Sequence, residues 1–228
     1  MKPRAVFFDA VGTLIHPDPP APAVYAAVAQ RFGSRLDEAA IAVRFREALR
    51  RQDMLDRRSG WRTDEARERD RWRAIVAEAL ADVSGPDACF EELYTHFARP
   101  DAWRVRPEAG PTLRGLADRG VPIGLASNFD SRLRQVAAGF PALAGVRPVV
   151  ISSEVGWRKP AAQFFHAVRH AADKDANHIL YIGDDRVHDY DGARSAGLLA
   201  VLFDPQEACP DKTVRRIGRL TDLLSVGE

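Results

Sequence analysis

The chain has no long apolar run and few cysteines. None of its apolar stretches approaches the ~18 residues of a membrane-spanning helix, and Asp9 interrupts the one early run that would imitate a signal peptide. The two cysteines, Cys89 and Cys209, lack the spacing of a zinc site or a disulfide framework, so we interpret both as small buried hydrophobic residues. These absences predict a cytoplasmic protein.

The chain also has almost no net charge and no internal repeat. Its 33 basic and 32 acidic residues leave a formal charge of +1, which provides no general attraction to nucleic acid or to a membrane surface. We therefore expect a small-molecule partner rather than either of these. At 228 residues the chain is long enough for one sizeable domain, or for a core with an insertion. The sequence does not predict the oligomeric state.

What the chain does have is a set of short apolar runs separated by helical patterns. The runs predict five strands: AVFFDA from Ala5, VPIGLAS from Val121, PVVIS from Pro148, ILYIGDD from Ile179 and LLAVLFD from Leu198. From Arg106 onward, segments with helical spacing lie between them. Apolar strands joined by helices predict an α/β fold whose parallel sheet is covered on both faces. In such sheets ligands bind beyond the carboxyl ends of the strands.

Residues 16–104 follow another pattern, with helical spacing and no convincing strand. We predict that they form an all-helical domain inserted into an α/β core made of residues 1–15 and 105–228. Prolines punctuate both ends of this insertion and are plausible hinges. Its arginine-rich part, from Arg44 to Arg73, is interleaved with acidic residues, which indicates a solvated, salt-bridged helix face.

Polar side chains cluster where the predicted strands end or the next helices begin. They form four motifs: D-x-x-G-T-L from Asp9 to Leu14, S-N at Ser127 and Asn128, K-P at Lys159 and Pro160, and G-D-D-x-x-x-D from Gly183 to Asp189. In order and spacing these motifs resemble the haloacid dehalogenase superfamily of hydrolases. The resemblance implies a Rossmann-like parallel sheet with a small helical cap inserted after the first motif, where residues 16–104 lie.

Asp9 is the candidate nucleophile. A carboxylate at the end of an apolar strand can attack phosphorus or activated carbon and divide one difficult displacement into two easier ones. Its charge would repel a phosphate, and Mg²⁺ is commonly held by one or two carboxylates plus substrate and water. We predict Asp184 as the second carboxylate ligand, and Asp189 as a residue that holds a metal-bound water or orients Lys159. The resemblance implies a further ligand, the backbone carbonyl of Val11.

Hydroxyl, amide and backbone donors suited to a transferring phosphoryl group lie at neighbouring strand ends. They belong to Thr13, Ser127 and Asn128, and Lys159 adds a positive charge. Lysine is scarce here: the chain has only four lysines among its 33 basic residues, so a lysine inside a motif is informative. We assign Lys159 to both catalysis and phosphate binding, because a compact ammonium can pair with a phosphate and a carboxylate at once.

Val11 departs from the pattern that the resemblance implies. Most phosphatases of that family have a second Asp at this position, which protonates the leaving alcohol and then activates water. Phosphonate-cleaving members also lack this Asp, but they need a cap lysine, and this chain has none between Lys2 and Lys159. The 2-haloacid dehalogenases have an aromatic residue there and need no metal. A slow member that binds a metal or a phosphometabolite is the remaining alternative.

These observations predict a Mg²⁺-dependent hydrolase that acts on a small phosphate ester through an aspartyl-phosphate at Asp9. The alternatives are a carbon–halogen hydrolase acting on a halogenated substrate and a degenerate binding protein. The cap would close over the site and bring side chains to the substrate. The candidates for this contact are Trp61, Arg62 and Trp72. The sequence does not identify the substrate.

Overall fold

The computed structural model describes residues 3–225. Its strands are, in chain order, β1 (Ala5–Phe8), β2 (Ile15–Pro17), β3 (Trp103–Val105), β4 (Ile123–Ser127), β5 (Val149–Ile151), β6 (Ile179–Gly183), β7 (Leu199–Phe203) and β8 (Arg216–Ile217). Six of them form a parallel sheet in the order β5-β4-β1-β6-β7-β8. The predicted parallel α/β core is confirmed. The short edge strand β8 has no apolar run that would predict it.

Helices connect the strands and fill the insertion. They are α1 (Ala21–Arg31), α2 (Glu38–Arg58), α3 (Glu65–Ala79), α4 (Pro86–His96), α5 (Ala109–Asp118), α6 (Arg132–Ala138), α7 (Ser152–Val155), α8 (Ala162–Ala172) and α9 (Gly192–Ser195). A single turn of π-helix spans Arg186–Asp191, and 3₁₀ turns span Pro100–Ala102, Pro141–Leu143, Ala176–His178 and Leu220–Leu224. Between residues 3 and 225, none of the helices combines the length and the apolar character needed to cross a membrane.

Both faces of the parallel sheet are buried, as its apolar strands predict. Side chains alternate along β1, so that Val6 and Phe8 pack in one hydrophobic cluster while Ala5 and Phe7 pack in the other. Gly124 on β4 lies beside Phe7, where an added Cβ would approach the aromatic ring to 2.3 Å. A sheet covered in this way leaves its strand ends as the accessible place for polar side chains.

The helical insertion has a hydrophobic cluster of its own, which includes Tyr25, Ile41, Val76 and Phe90. The prediction that residues 16–104 contain no strand is wrong at the two ends of the segment. There β2 and β3 pair antiparallel, with Ile15 opposite Val105 and Pro17 opposite Trp103. Three-residue strands so far apart in sequence show no alternating pattern that would predict them. The ribbon joins the insertion to the core.

The loop between α2 and α3 connects the insertion to the core a second time. The Thr63 N–H donates to the Gly156 carbonyl at 3.1 Å, and the Arg158 N–H donates to the Trp61 carbonyl at 2.8 Å. Beside this contact the Arg158 guanidinium pairs with Glu68 of α3, and Thr63 donates to the same carboxylate at 2.8 Å. The insertion is thereby attached to the chain segment that immediately precedes Lys159.

Part of the arginine-rich face is buried rather than solvated. Asp56, Glu68 and Arg71 are between 0% and 3% exposed, so the interpretation as a fully solvated face is wrong for these residues. Asp56 accepts hydrogen bonds from Arg71 at 2.8 Å and from Arg67 at 2.6 Å. Helical charge patterning does not distinguish a solvated face from one buried against a neighbouring domain. Cys89 is buried as predicted, whereas Cys209 is only half-buried.

Candidate active site

The site is built around Asp9, which directly follows the central strand β1. The Asp9 N–H donates to the Ile182 carbonyl of β6 at 2.8 Å, which continues the sheet pairing by one residue and fixes the direction of the side chain. The neighbours of β1 in the sheet are β4 and β6. Their carboxyl ends bring Ser127 and Asp184 next to Asp9, because adjacent parallel strands end at the same edge. Asp9 is only 5% exposed.

Lys159 lies at the centre of the hydrogen bonding. Its ammonium donates to Oδ1 of Asp9 and to Oδ1 of Asp189, both at 2.6 Å, and to the Tyr181 hydroxyl oxygen at 3.1 Å. These three acceptors match the three donors of an ammonium group. The Tyr181 hydroxyl in turn donates to the Ala126 carbonyl at 2.6 Å. The contact between Lys159 and Asp189 agrees with one of the two roles predicted for Asp189.

The amide of Asn128 holds the backbone of Lys159. Its Oδ1 accepts from the Lys159 N–H at 2.7 Å, and its Nδ2 donates to the Lys159 carbonyl at 3.1 Å. Ser127, the preceding residue, donates its hydroxyl to Oδ1 of Asp9 at 2.8 Å. In this structure the side chain of Asn128 therefore positions Lys159. Its predicted contact with phosphate stays a prediction, as does that of Ser127.

Two glycines allow polar groups to approach the backbone closely. Gly12 has φ of +91°, and an added Cβ there would lie 2.2 Å from Oδ2 of Asp184. An added Cβ on Gly183 would lie 2.2 Å from the Asp189 carboxyl. Next to Gly12 in sequence, the buried Thr13 donates its hydroxyl to Oδ1 of Asp184 at 3.3 Å. Thr13 thus holds a candidate metal ligand, and its predicted contact with phosphate stays a prediction.

The second aspartate of the G-D-D motif has a structural role. Asp185 begins the π-helical turn, and its Oδ1 accepts from the N–H groups of Val187 and His188 at 2.8 and 2.7 Å. Burial alone would raise the pKa of Asp185, but the bonds and charge of His188 outweigh burial, and with the Val187 N–H they lower the pKa to about 2. Asp189, one turn later, belongs to the site instead. Its Oδ1 accepts from Lys159, and its Oδ2 accepts from the Asp185 N–H at 3.0 Å.

The charges of the cluster are unbalanced. Burial alone would lower the pKa of Lys159, but the carboxylates of Asp189 and Asp9 outweigh burial and raise it well above its ordinary range. Removal from water, together with the neighbouring carboxylates, raises the pKa of Asp184 to about 7 although part of this residue reaches solvent. Burial likewise raises the pKa of Asp189 to about 6, partly opposed by Lys159. One ammonium does not neutralise three carboxylates.

The same three carboxylates form a donor set that fits a divalent cation. Asp9, Asp184 and Asp189 each offer an oxygen, and these oxygens lie within 4.8 Å of one another. Mg²⁺ prefers oxygen ligands of this kind, and a divalent charge would relieve the repulsion among the carboxylates, which adds to the effect of burial on the pKa of Asp184. The Val11 side chain supplies no ligand atom, and the predicted use of its carbonyl stays a prediction.

An apolar cavity of about 270 Å³ adjoins this polar cluster, between the insertion and the core. Val11 and Asn128 line its core side. Most of the remaining lining is aromatic or aliphatic and includes Tyr25, Phe45, Leu49, Trp72 and Trp103 of the insertion and Phe129 of the core. Sequence reasoning does not predict this cavity, because its residues come from five separate stretches of the chain.

The three cap candidates take different positions. Trp72 lines the cavity. Trp61 packs edge-on against the His188 ring, with centroids 5.5 Å apart, and its φ of +64° marks a tight turn in the loop between α2 and α3. The Arg62 guanidinium lies 5.8 Å from the centre of the Trp157 ring. Their contact with substrate stays a prediction. Tyr181 is a site residue that sequence reasoning missed, although a tyrosine within a buried strand needs a hydroxyl partner.

Comparisons with known proteins identify a family and several relatives. A protein-family model described as haloacid dehalogenase-like hydrolase matches residues 3–197. The chain is 29% identical over 209 residues to the haloacid dehalogenase-like hydrolase domain-containing protein 3 of Bos taurus, covering 87% of this chain and 81% of the relative. It is 31% identical over 134 residues to ribulose-1,5-bisphosphate 5-phosphatase of Halopiger xanaduensis, covering 52% of this chain and 56% of that one.

The fold is also that of a solved dehalogenase. The structure of L-2-haloacid dehalogenase from Xanthobacter autotrophicus with chloropropionic acid covalently bound superposes with a TM-score of 0.77. The match covers 99% of this chain and 98% of that one, at 17% sequence identity. At this identity the likeness establishes a common fold and does not choose between reactions.

Proposed function

The chain belongs to the haloacid dehalogenase-like hydrolases, and we propose that it is a Mg²⁺-dependent phosphatase of small phosphate esters. The observation that carries the proposal is the arrangement of three carboxylates around one buried ammonium. Lys159 bridges Asp9 and Asp189, and Asp184 lies within 4.8 Å of both. This donor set suits a cation and a phosphate together better than it suits the carboxylate of a haloacid. The phosphatase of Halopiger xanaduensis supports the same reading.

The hydrogen bonds of Asp9 select the oxygen that attacks. Ser127 and Lys159 both donate to Oδ1, which leaves Oδ2 as the oxygen that we assign as the nucleophile. Attack forms a bond between Oδ2 and phosphorus while the bond from phosphorus to the leaving oxygen breaks, and an aspartyl-phosphate results. Hydrolysis of this intermediate then releases phosphate and restores the carboxylate. The Lys159 ammonium, bound to Oδ1 of Asp9 at 2.6 Å, holds the carboxylate in place for this attack.

Asp9, Asp184 and the carbonyl of Val11 would hold the metal, with Asp189 beside them. When bound, Mg²⁺ would offset the negative charge of the phosphate and the carboxylates. Thr13 fixes the Asp184 carboxylate, and Asn128 fixes the backbone of Lys159, so both charges are held in place before substrate arrives. Such preorganisation stabilises the charge that develops on the transferring phosphoryl group.

Residues 16–104 act, in this proposal, as a cap over the strand ends of a core formed by residues 1–15 and 105–228. The loop between α2 and α3 supports this assignment, because Trp61 contacts His188 and Thr63 pairs with the segment before Lys159. A closed cap would exclude water from the aspartyl-phosphate until a product leaves.

The experiment is an assay of the native protein with 4-nitrophenyl phosphate and with 2-chloropropionate, each with Mg²⁺ and with excess chelator. We expect phosphate release that requires Mg²⁺ and no release of chloride. Chloride release in chelator would contradict the proposal and favour a carbon–halogen hydrolase. Mg²⁺ binding without turnover of either compound would favour a binding protein that has lost hydrolysis.

A further inference from the structure

The cavity that Val11 and Asn128 line offers no unpaired charge to a ligand. Among its lining residues only Arg132 carries a charge. The Arg132 guanidinium donates to both carboxylate oxygens of Asp130, at 2.8 and 2.7 Å, and to the Tyr94 carbonyl at 2.7 Å. Its central carbon also lies 3.4 Å from the centre of the Tyr94 ring. Because Arg132 is paired with Asp130 and each of its three nitrogens already donates a hydrogen bond within the protein, the cavity suits an uncharged apolar group better than a carboxylate.

The size and the walls of the cavity suit a ring. An engineered apolar cavity of about 150 Å³ is large enough to hold benzene, and this cavity has a volume of about 270 Å³. Tyr25, Phe45 and Trp72 supply aromatic walls from the insertion. Aromatic side chains favour stacked or edge-on contacts with a bound ring beyond the burial of its surface. One ring, or two fused rings, would therefore fill the space with favourable contacts.

Val11 points to the same class of ligand by an independent route. It lies two residues after Asp9 and lines the cavity, and its side chain cannot protonate a leaving oxygen. The hydroxyl of a phenol has a pKa of about 10, whereas that of an aliphatic alcohol lies nearer the value of about 16 for water. A phenolate therefore leaves without a general acid far more readily than an alkoxide does.

We propose that the substrate is a phosphate monoester of an apolar phenol, whose ring occupies the cavity while its phosphate meets Asp9. This inference rests on the proposed phosphatase function and adds its substrate class. The bond from Asp9 Oδ2 to phosphorus forms as the bond from phosphorus to the aryl oxygen breaks. The electron pair leaves with the phenolate, which takes its proton from water.

The first test compares four esters in the presence of Mg²⁺: phenyl, 1-naphthyl, cyclohexyl and glycerol phosphate. Phenyl and cyclohexyl phosphate both present an apolar ring, so we expect similar KM values, at least tenfold below that of glycerol phosphate. They differ in the leaving oxygen, so kcat for phenyl phosphate should exceed that for cyclohexyl phosphate by at least about 100-fold. A KM for glycerol phosphate as low as that for the ring esters would overturn the inference.

A matched pair of variants on α2 tests whether the apolar ring of the substrate binds in the cavity. Leu49 lines the cavity, whereas Leu55 is 46% exposed and is not among the lining residues. Leu49→Glu should raise KM for 1-naphthyl phosphate at least tenfold and leave the KM for glycerol phosphate unchanged. Leu55→Glu should alter neither value. Equal effects of the two variants on 1-naphthyl phosphate would contradict a ring bound in this cavity.

A third measurement separates this inference from the proposed function, because it needs no turnover. Calorimetric titration of the native protein with 2-naphthol should show binding that Leu49→Glu weakens at least tenfold. Binding of 2-naphthol without hydrolysis of any ester would sink the phosphatase function and keep the aromatic cavity. Hydrolysis of all four esters without binding of 2-naphthol would support the phosphatase function and contradict the aromatic cavity as a binding site. If Leu49→Glu does not fold, inhibition of the native protein by 2-naphthol replaces this test. Inhibition that competes with 1-naphthyl phosphate would support a ring bound in the cavity, and no inhibition would contradict it.

Discussion

The sheet core and the helical insertion supply different chemistry to the same site. Asp9, Lys159 and Asp184 all belong to the core, at strand ends or at the start of a helix. The insertion contributes apolar surface such as that of Phe45 and Trp72. In the proposed function, the core therefore breaks the bond and the insertion selects the ligand. Changes in the core should act mainly on kcat, and changes in the insertion mainly on KM or on the attachment of the two regions.

The largest expected effect comes from the core. Asp9→Asn removes the nucleophile and keeps the shape of the side chain, so kcat for an aryl phosphate should fall by at least about 10⁴-fold. The circular dichroism spectrum should stay that of the native protein. Mass spectrometry must first exclude deamidation back to aspartate. Native turnover in the intact Asn variant would show that the covalent mechanism is wrong.

The second prediction concerns the attachment of the insertion. Glu68 is 1% exposed and pairs with the buried Arg158, so Glu68→Ala removes the nearest partner of a buried guanidinium and leaves it the carboxylate of Asp56 at 3.6 Å. We expect the free energy of unfolding to fall by about 3–5 kcal/mol. Glu91→Ala is the control, because Glu91 pairs with Arg69 at 2.5 Å on the surface and its loss should cost less than about 1 kcal/mol. Urea unfolding measures both; equal losses would contradict a buried attachment.

The third prediction tests the metal ligand. Asp184→Ala should weaken Mg²⁺ binding at least about 100-fold and reduce activity with it, since Asp9 and a carbonyl alone make a poor site. Asp185→Asn is the matched neighbour: Asn caps a helix nearly as well as Asp does, and Asp185 faces the π-helical turn rather than the cluster. Its Mg²⁺ affinity should stay that of the native protein. Calorimetric titration that ranks the two variants the other way would remove Asp184 as a ligand.

The fourth prediction follows from the unbalanced carboxylates. The pKa values of Asp184 and Asp189, about 7 and about 6, lie above the ordinary value near 4 of an unfolded chain. Between pH 4 and pH 7 these two carboxyl groups therefore bind more protons in the folded state than in the unfolded state, and their contribution to the free energy of unfolding falls as pH rises. Urea unfolding in chelator measures this slope. Asp184→Asn should flatten it, and an unchanged slope would contradict the raised pKa of Asp184.

The smallest expected effect comes from Val11, which lies in the first motif, two residues after Asp9, and lines the cavity. Val11→Asp restores an acid beside the leaving oxygen, so kcat for cyclohexyl phosphate should rise about tenfold while kcat for phenyl phosphate changes little. General acid–base catalysis is worth ~10²–10⁴-fold, but apolar neighbours raise the pKa of a carboxyl group placed there and limit the gain. No gain on the alkyl ester would count against the account of Val11 and leave the nucleophile and the metal site intact.

Much of the charged cluster is predictable because each of its residues follows a local pattern. Asp9 and Asp184 directly follow apolar strands, and Lys159 precedes a helix, so the motifs can be placed without tertiary information. The contacts among them are less predictable. The local pattern does not predict that both ends of the Asn128 amide hold the Lys159 backbone. Tyr181 reaches the site from within β6. In the sequence it is one residue of an apolar strand, so the strand pattern does not distinguish it as a site residue.

The sequence by itself determined the parallel sheet, the edge at which the candidate site lies and the acids and lysine that cluster there, because strand periodicity and strand-end motifs are local. Only the tertiary structure decided that Glu68 pairs with Arg158, 90 residues away in sequence, and that Val11 shares a cavity with Phe45 and Trp72. These contacts depend on how the insertion packs against the core. Packing of distant segments follows from the fit of whole surfaces, and no short stretch of sequence carries that information.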